Sequence, residues 1–304
     1  MRHVEVGGVG VSAIGLGAWQ FGGEWGYGLE HARTVAPAII RRALELGITL
    51  IDTAEAYGGG ASELVVGGAI RDVARDPFVA TKFTPVLPIA AVMLDHAERS
   101  RRRLGVAAID LYQIHWPNPL VPIRFQAAGL RRVLDRGLAR HVGVSNYSLG
   151  RWQATERALG RPVLSNQVEF SLAQPRPGRT LVPWAAAHDR LVIAFSPLAQ
   201  GILLGDRQPP MNMARWTRRI LGTPQAGDVG ALWAVIREVA AAHAATPAQV
   251  ALAWLIGHPS VVAIPGARTV EQLESNALAA DLALTTDEHE RLTDAAERRA
   301  GIRR

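Results

Sequence analysis

Cysteine is absent from the 304 residues. That excludes disulfide staples and cysteine-ligated metals, and it leads us to expect a protein of the reducing cytoplasm. Lysine is almost absent: of 33 basic residues, only Lys82 is a lysine. Arginine stands wherever a plain positive charge suffices. Position 82 is therefore expected to need a compact ammonium on a slim stem, which a bulky, permanently charged guanidinium does not imitate. Long apolar runs are missing as well. No stretch approaches the roughly 18 residues that span a bilayer. Met1-Arg2-His3-Val4-Glu5 has no apolar segment behind it, so neither a membrane partner nor a secretory signal is expected. Nor is there a basic run interleaved with aromatics. The net charge of +6 and pI near 10.6 would suit a nucleic-acid binder. The arginines are scattered among acids, however, as in Ala97-Glu98-Arg99-Ser100-Arg101-Arg102-Arg103. They read as solvated helix faces, and nucleic acid is not expected as a partner.

What is present is an ordinary globular balance, 48% hydrophobic and 20% charged, in a chain long enough to bury a large core. Short β-branched runs read as strands at Ile14–Ala18, Leu50–Thr53, Phe78–Thr81, Ile109–His115, His141–Val144, Ser165–Glu169, Leu191–Phe195 and Val261–Ile264. Between them, apolar positions three or four apart predict helices, including Ala36–Leu46, Ala90–Leu104, Pro122–Asp135, Leu149–Ala158 after Ser148, and Thr246–Gly257. Eight strands alternating with helices in this length predict one domain over 1–304, an α/β fold of the (β/α)₈ TIM-barrel type. Val4–Val11, alternating around Gly7-Gly8, predicts an N-terminal β-hairpin across the barrel floor. Gly8-Val9-Gly10-Val11-Ser12-Ala13 matches a loose dinucleotide fingerprint, but no strand–turn–helix unit surrounds it. The longest irregular stretch, Gly205–Gly230, follows the seventh strand on the face where barrel active sites lie.

Polar residues at the C-terminal ends of barrel strands meet around one mouth. Asp52 ends the second strand, Tyr57 follows it, Lys82 ends the third and His115 the fourth. Asp52 and Lys82 can pair. A buried ammonium beside a phenol is expected to lower the tyrosine pKa, making Tyr57 a proton donor near neutral pH. His115 can hydrogen-bond the same substrate oxygen. This is equipment for protonating a carbonyl oxygen while a cofactor delivers hydride. A metal-dependent hydrolase would need more histidines at strand ends, and no metal is expected.

These residues resemble the aldo-keto reductases. The resemblance runs from Gly15-Leu16-Gly17-Ala18-Trp19 to Glu271–Asn276. It rests on Ile51-Asp52-Thr53-Ala54-Glu55-Ala56-Tyr57-Gly58, Asp110-Leu111-Tyr112-Gln113-Ile114-His115-Trp116-Pro117 and Gly143-Val144-Ser145-Asn146-Tyr147. It implies a catalytic tetrad of Asp52, Tyr57, Lys82 and His115. It also implies NADP(H), with NAD(H) the second candidate, bound extended over the mouth without a Rossmann domain. By resemblance the nicotinamide end meets Gly17, Ala18, Asp52, Ser145, Asn146 and Gln167, with Phe195 stacked on the ring. The pyrophosphate meets Ser196, Leu198 and Gly201. The adenosine end meets Gly266, Arg268, Gln272 and Asn276, with Arg268 as the partner of a 2′-phosphate. Trp19 and Trp116, with Tyr57 and His115, are expected to touch substrate. Trp25 and Trp216 are further candidate walls.

The expected activity is reduction of a small-molecule aldehyde or ketone. The alternatives are an NAD(P)-dependent sugar or alcohol dehydrogenase and, from another class, a cofactor-binding regulatory subunit. Monomer and homo-oligomer remain equally open.

Overall fold

Strand pairing shows how the period of two in the sequence becomes layers inside a barrel. The computed structural model describes residues 1–23, 28–71, 73, 77–204 and 230–302. Ten strands occur there: β1 (His3–Val6), β2 (Val9–Ser12), β3 (Leu16–Gly17), β4 (Leu50–Asp52), β5 (Phe78–Phe83), β6 (Ile109–Ile114), β7 (Ala139–Ser145), β8 (Ser165–Glu169), β9 (Leu191–Phe195) and β10 (Val261–Ala263). β3 to β10 form one parallel sheet in sequence order. Bridges Ile14–Ala263 and Gly17–Gly266 join its first strand to its last. This is the (β/α)₈ barrel.

The expected strands at Ser165–Glu169 and Leu191–Phe195 and the helix at Ala90–Leu104 have the boundaries read from the sequence. Two strands differ. The first shrinks to Leu16–Gly17, because Ile14 pairs only through its single bridge to Ala263. The third runs on to Phe83, where Lys82 pairs with Gln113 and Phe83 with Ile114. Lys82 therefore lies within a strand rather than at its end. Helix starts follow the expected chemistry: Ser148 accepts from the Arg151 N–H, and Thr246 forms a capping box with Gln249.

The glycine-containing fingerprint at residues 8–13 belongs to the β1–β2 hairpin, whose strands pair antiparallel in register Val4–Val11 and Val6–Val9. Val6, Val9 and Val11 are buried in one cluster with Leu50, Ala80, Leu111, Leu191 and Val262 from the inner faces of the barrel strands. The hairpin thus closes the floor. Period two then sets what lies above. Two residues beyond Leu50 on the same face is Asp52, beyond Ala80 is Lys82, and beyond Leu111 is Gln113. The apolar plug therefore supports a polar layer. No single helix among the described residues is long and apolar enough to cross a membrane.

Helix Ala61–Ile70 carries two adjacent glycines with opposite surroundings. A Cβ on Gly67 would lie 2.5 Å from the Arg103 carbonyl oxygen and 2.6 Å from that of Leu104, whereas a Cβ on Gly68 meets nothing within 4 Å. Gly67→Ala should destabilise by about 1–3 kcal/mol through backbone overpacking. Gly68→Ala should stabilise by up to about 1 kcal/mol through helix propensity. Urea melts of the two variants check the pair, and equal effects would refute the packing argument.

Candidate active site at the barrel mouth

The polar layer is built around Lys82, which is fully buried. Its ammonium donates to Asp52 Oδ1 at 2.5 Å, to the Thr53 carbonyl at 2.8 Å and to the Tyr57 hydroxyl at 3.0 Å. Three hydrogens on one nitrogen meet three oxygens. A guanidinium, whose donors lie in one plane on separate nitrogens, cannot present this pattern. That geometry answers why a lysine stands at this one position. The second Asp52 oxygen accepts from Gln167 Nε2 at 2.8 Å and from Gln113 Nε2 at 3.4 Å. Ser165 Oγ donates to Gln113 Oε1 at 3.3 Å. Gly143 leaves room for this layer, since a Cβ there would sit 2.3 Å from Ser165 Oγ.

Backbone packing aims Tyr57 at the ammonium. The tyrosine starts a run in which Gly58, Gly59 and Gly60 all have left-handed φ. Gly58 lies so close to Gly22 that a Cβ would come within 2.2 Å of the Gly22 carbonyl oxygen. Only glycine allows both the conformation and the approach. Glu55 pins the same segment to the end of β5. It accepts from the Thr84 N–H at 2.6 Å and contacts His96 Nδ1 at 2.9 Å. His115 lies edge-to-face with Tyr57, ring centroids 5.7 Å apart, and its buried Nδ1 has no hydrogen-bond partner among the described residues. Trp116 packs on His115 at 4.7 Å, and both Trp19 and Trp116 are exposed.

The electrostatics correct one expectation. Burial pushes the Tyr57 phenol above the ordinary tyrosine value. Lys82 pulls it down, but Asp52 opposes, and the net direction is up. The expected lowering fails because burial, the largest effect, disfavours the phenolate, and Asp52 offsets part of the pull of Lys82. Lys82 itself is raised: burial works against the ammonium, and Asp52, followed by Tyr57, outweighs it. Burial, with Lys82 second, pulls His115 down to about 3, so its imidazole is neutral at pH 7. Glu169, ending β8 at the mouth, is pushed up to about 7 by burial. Nothing in its sequence context marks it, because a strand-end glutamate is usually solvated.

The model of the Aldo/keto reductase family matches residues 13–297. The chain belongs to the aldo-keto reductase family. It is 50% identical over 302 residues to an uncharacterized oxidoreductase of Mycobacterium tuberculosis, covering 97% of this chain and 93% of that one. It is 31% identical to a methylglyoxal reductase of Escherichia coli, covering 93% of this chain and 90% of that one. Among solved structures, an aldo-keto reductase from Klebsiella pneumoniae in complex with NADPH superposes with a TM-score of 0.79 at 31% identity, covering 96% of this chain and 94% of that one. As a member of this family the protein is a nicotinamide-dependent oxidoreductase.

The positions expected to hold an aldo-keto reductase cofactor lie around the same mouth, and their backbone is unusual. Seven non-glycine residues among those described have positive φ. Four of them, Asn146, Ser196, Ala199 and Gln200, fall in the loops after β7 and β9, and Gly201 follows at φ 95°. Left-handed residues are strained, and here the N–H groups of Asn146, Ala199 and Gly201 donate to the carbonyls of Gln167, Ser196 and Leu198. Ser145 Oγ accepts from Asn146 Nδ2 at 3.0 Å, and Phe195 pairs in register with Glu169 at the end of β9. Gln167, expected at the nicotinamide amide, donates its Nε2 to Asp52 at 2.8 Å. Gly17 and Ala18 pass under Ile264 and Asp52: a Cβ on Gly17 would be 2.8 Å from the Ile264 carbonyl oxygen, and the Ala18 N–H donates to Asp52 O. At the far end Gln272 accepts from the Arg268 N–H at 2.9 Å, and Asn276 donates to Gly266 O at 3.4 Å. Gln20 fills the space where a side chain at Gly266 would go, a Cβ there lying 2.7 Å from Gln20 Oε1. Leu198 is half-buried and packs on the core. Trp25, Trp216 and all of the Gly205–Gly230 stretch except Gly230 lie outside the described residues.

The Lys82–Asp52 pair sets a stability test. Asp52→Asn leaves a buried ammonium without its counter-charge and should cost about 3–5 kcal/mol. Adding Lys82→Met to that variant should recover much of the loss. Denaturant melts of the single and double variants measure it, and additive losses would show that the two groups are not coupled.

Proposed function

We propose that the protein reduces aldehydes or ketones with NADPH, and that Tyr57 gives the proton to the carbonyl oxygen. The observation that carries this reading is the single ammonium bonded to both Asp52 and the Tyr57 hydroxyl. The nicotinamide supplies the hydride that the carbonyl carbon receives, since no side chain can. The chain's own groups do the rest. A neutral His115 donates a hydrogen bond to the carbonyl oxygen and orients it beside Tyr57. The phenol, held protonated by burial, gives up its proton only as charge develops on that oxygen. Lys82 then meets the phenolate with an N–H already aimed at it, and Asp52 keeps the ammonium charged and in place. Tyr57 recovers its proton from solvent. Methylglyoxal, which gives the E. coli relative its name, belongs to this carbonyl class.

Arg268, exposed at the start of helix Val270–Leu278, suits the 2′-phosphate because a guanidinium grips phosphate as a fork. NADPH is therefore the preferred cofactor over NADH. Arg268→Ala should raise KM for NADPH by about 10-fold and leave KM for NADH within about twofold. Equal losses with both cofactors would remove Arg268 from this role.

Tyr57→Phe should lower kcat by about 10²-fold or more, with NADPH affinity within about twofold, measured by absorbance loss at the NADPH band and by fluorescence titration. Lys82→Met should slow reduction, and Lys82→Arg should not rescue it. A Tyr57→Phe enzyme turning over at the parent rate refutes the assignment. The pH profile separates the groups. With the phenol raised above 10 and His115 near 3, reduction should stay flat from about pH 5 to about pH 9 and decline only beyond that. An inflection near pH 7 would hand control to Glu169 instead.

A further inference from the structure

Tyr147 closes the run Gly143-Val144-Ser145-Asn146-Tyr147, and no step of the carbonyl reduction uses it. It is buried, 2% exposed. Burial pushes its phenol up to about 12, and Arg151 only partly opposes, so the hydroxyl stays a donor through the neutral range. That hydroxyl donates to Gln126 Oε1 at 2.8 Å, and Gln126 is itself buried in the helix Ile123–Asp135. The direction of the bond is fixed. Gln126 Nε2 spends both hydrogens on the carbonyls of Asn118, at 3.0 Å, and Val121, at 2.6 Å, which leaves its oxygen to accept. A buried hydroxyl with one hydrogen bond adds only modest net stability. What it adds over a plain ring is direction.

The bond joins two loops of the mouth. Gln126 gathers the carbonyls of the loop that begins at His115, and Tyr147 directly follows Asn146. The backbone of Tyr147 is held from both sides by Asn166, which donates to its carbonyl at 2.8 Å and accepts from its N–H at 3.4 Å. The Asn146 N–H donates to Gln167 O at 2.8 Å, and Asn146 Nδ2 donates to His115 O at 3.3 Å. The two loops therefore meet at two points. One is exposed, Asn146 on the His115 carbonyl, and one is buried, Tyr147 on Gln126. A single hydrogen bond lets a loop swing about it, whereas a second, separate one fixes its orientation. The chain from His115 to Gln126, the bond to Tyr147, the step back to Asn146 and the bond to His115 form a closed ring. Arg151 braces it: Nη2 donates to Asn118 O at 3.2 Å, and the guanidinium lies 5.6 Å from the centre of the Tyr147 ring.

We propose that the Tyr147–Gln126 hydrogen bond holds the His115 loop in register with the Ser145–Asn146 turn, which makes Tyr147 and Gln126 positioning residues for the transfer step. The inference rests on the carbonyl-reductase reading, in which His115 orients the carbonyl while Ser145 and Asn146 face the nicotinamide amide. Both side chains are buried, so they act through His115 and Asn146. Transfer needs reacting atoms aligned at about 3–3.5 Å, and a small displacement of one loop against the other costs rate steeply. Binding is spread over many contacts and tolerates the same displacement.

Tyr147→Phe removes one oxygen and keeps the ring beside Arg151. With an aldehyde and NADPH, its kcat should fall about 10-fold, while KM for the aldehyde and Kd for NADPH stay within about twofold. The primary isotope effect with deuterated NADPH should be at least as large as the parent's, because the transfer step is the one slowed. Gln126→Leu should lose as much or more, and adding Tyr147→Phe to it should cost nothing further, since the bond is already gone. A second readout needs neither cofactor nor turnover. The Leu120 and Val121 N–H groups donate to Asn118 Oδ1 within the loop. Hydrogen exchange over residues 115–121 should be about 10-fold faster in Tyr147→Phe, with β5 and β8 unchanged. An unchanged kcat, or a loss confined to KM or to NADPH affinity, overturns the positioning role and leaves the carbonyl reading standing. If the parent turns over no carbonyl, that reading fails and exchange decides: faster exchange over 115–121 supports the link between the loops, and equal exchange overturns it. A variant that only melts lower, with kcat and exchange intact, reduces the hydroxyl to general stability and overturns the proposal.

Discussion

A single buried ion pair governs the interior of this barrel. Taking one ammonium and one carboxylate out of water is expensive, and the cost is offset only if every remaining hydrogen and lone pair finds a partner. Lys82 uses all three hydrogens, and Asp52 takes Lys82 on one oxygen and two glutamine amides on the other. Gln113, Gln167, Ser165 and the absent side chain of Gly143 are consequences of that requirement. The pair has little net charge, so Tyr57 feels a dipole with its positive end nearest. Burial leaves the resting phenol protonated, and this field still stabilises the phenolate when it forms. A lone buried lysine would have released the proton too early to serve as an acid.

The layers beneath explain how the pair survives. β1 and β2 place Val6, Val9 and Val11 against the inner faces of the barrel strands. The pair lies buried above this apolar cluster, where the Coulomb attraction between Lys82 and Asp52 is screened less than at the surface. Outside the barrel a second polar chain braces the same region. Thr81 donates to Glu63 at 2.6 Å, Arg103 donates to Glu63 at 2.5 Å, and Thr53 donates to Ser62, which donates to Ala18 O. Thr81 and Thr53 flank Lys82 and Asp52 in sequence, so the outward faces of β4 and β5 are fixed where the inward faces carry the pair.

The barrel and the four polar strand-end residues were legible because both are one-dimensional patterns. A strand needs alternation, and alternation with a Leu-to-Asp or Ala-to-Lys change two residues on places a polar group directly above an apolar one. The lone lysine was legible as a contrast with a background of arginine. The direction of the Tyr57 shift was not, because it depends on how far burial outweighs the pull of Lys82, and no spacing encodes that. Gln113 was hidden inside a recognised motif, since its role exists only once Asp52 is 61 positions away in sequence and 3.4 Å away in space. The strained loops after β7 and β9 were hidden for a different reason. Asn, Ser, Ala and Gln do not announce positive φ as glycine does, so Asn146, Ser196, Ala199 and Gln200 become visible only in the backbone.

The mouth divides into two halves with different physics. β4, β5 and β6 bring Asp52, Tyr57, Lys82 and His115, and the loops after β5 and β6 carry a proline-rich rim with exposed Val86, Leu87 and Leu120. β7 and β9 lead into left-handed turns, and β10 leads to a helix start where Arg268 adds positive charge. Tyr57 and His115 stand at the seam between these halves. This arrangement separates what can vary from what cannot. Asn118 joins the two apolar loops to each other through their backbones, whereas the inner layer is held by Asp52, Gln113 and Gln167 from the strands. Substitutions at Val86 or Leu120 reshape the rim and leave the strand hydrogen bonds untouched. Substitutions at Gln113 or Gly143 would unbalance the buried pair, whatever substrate the rim admits.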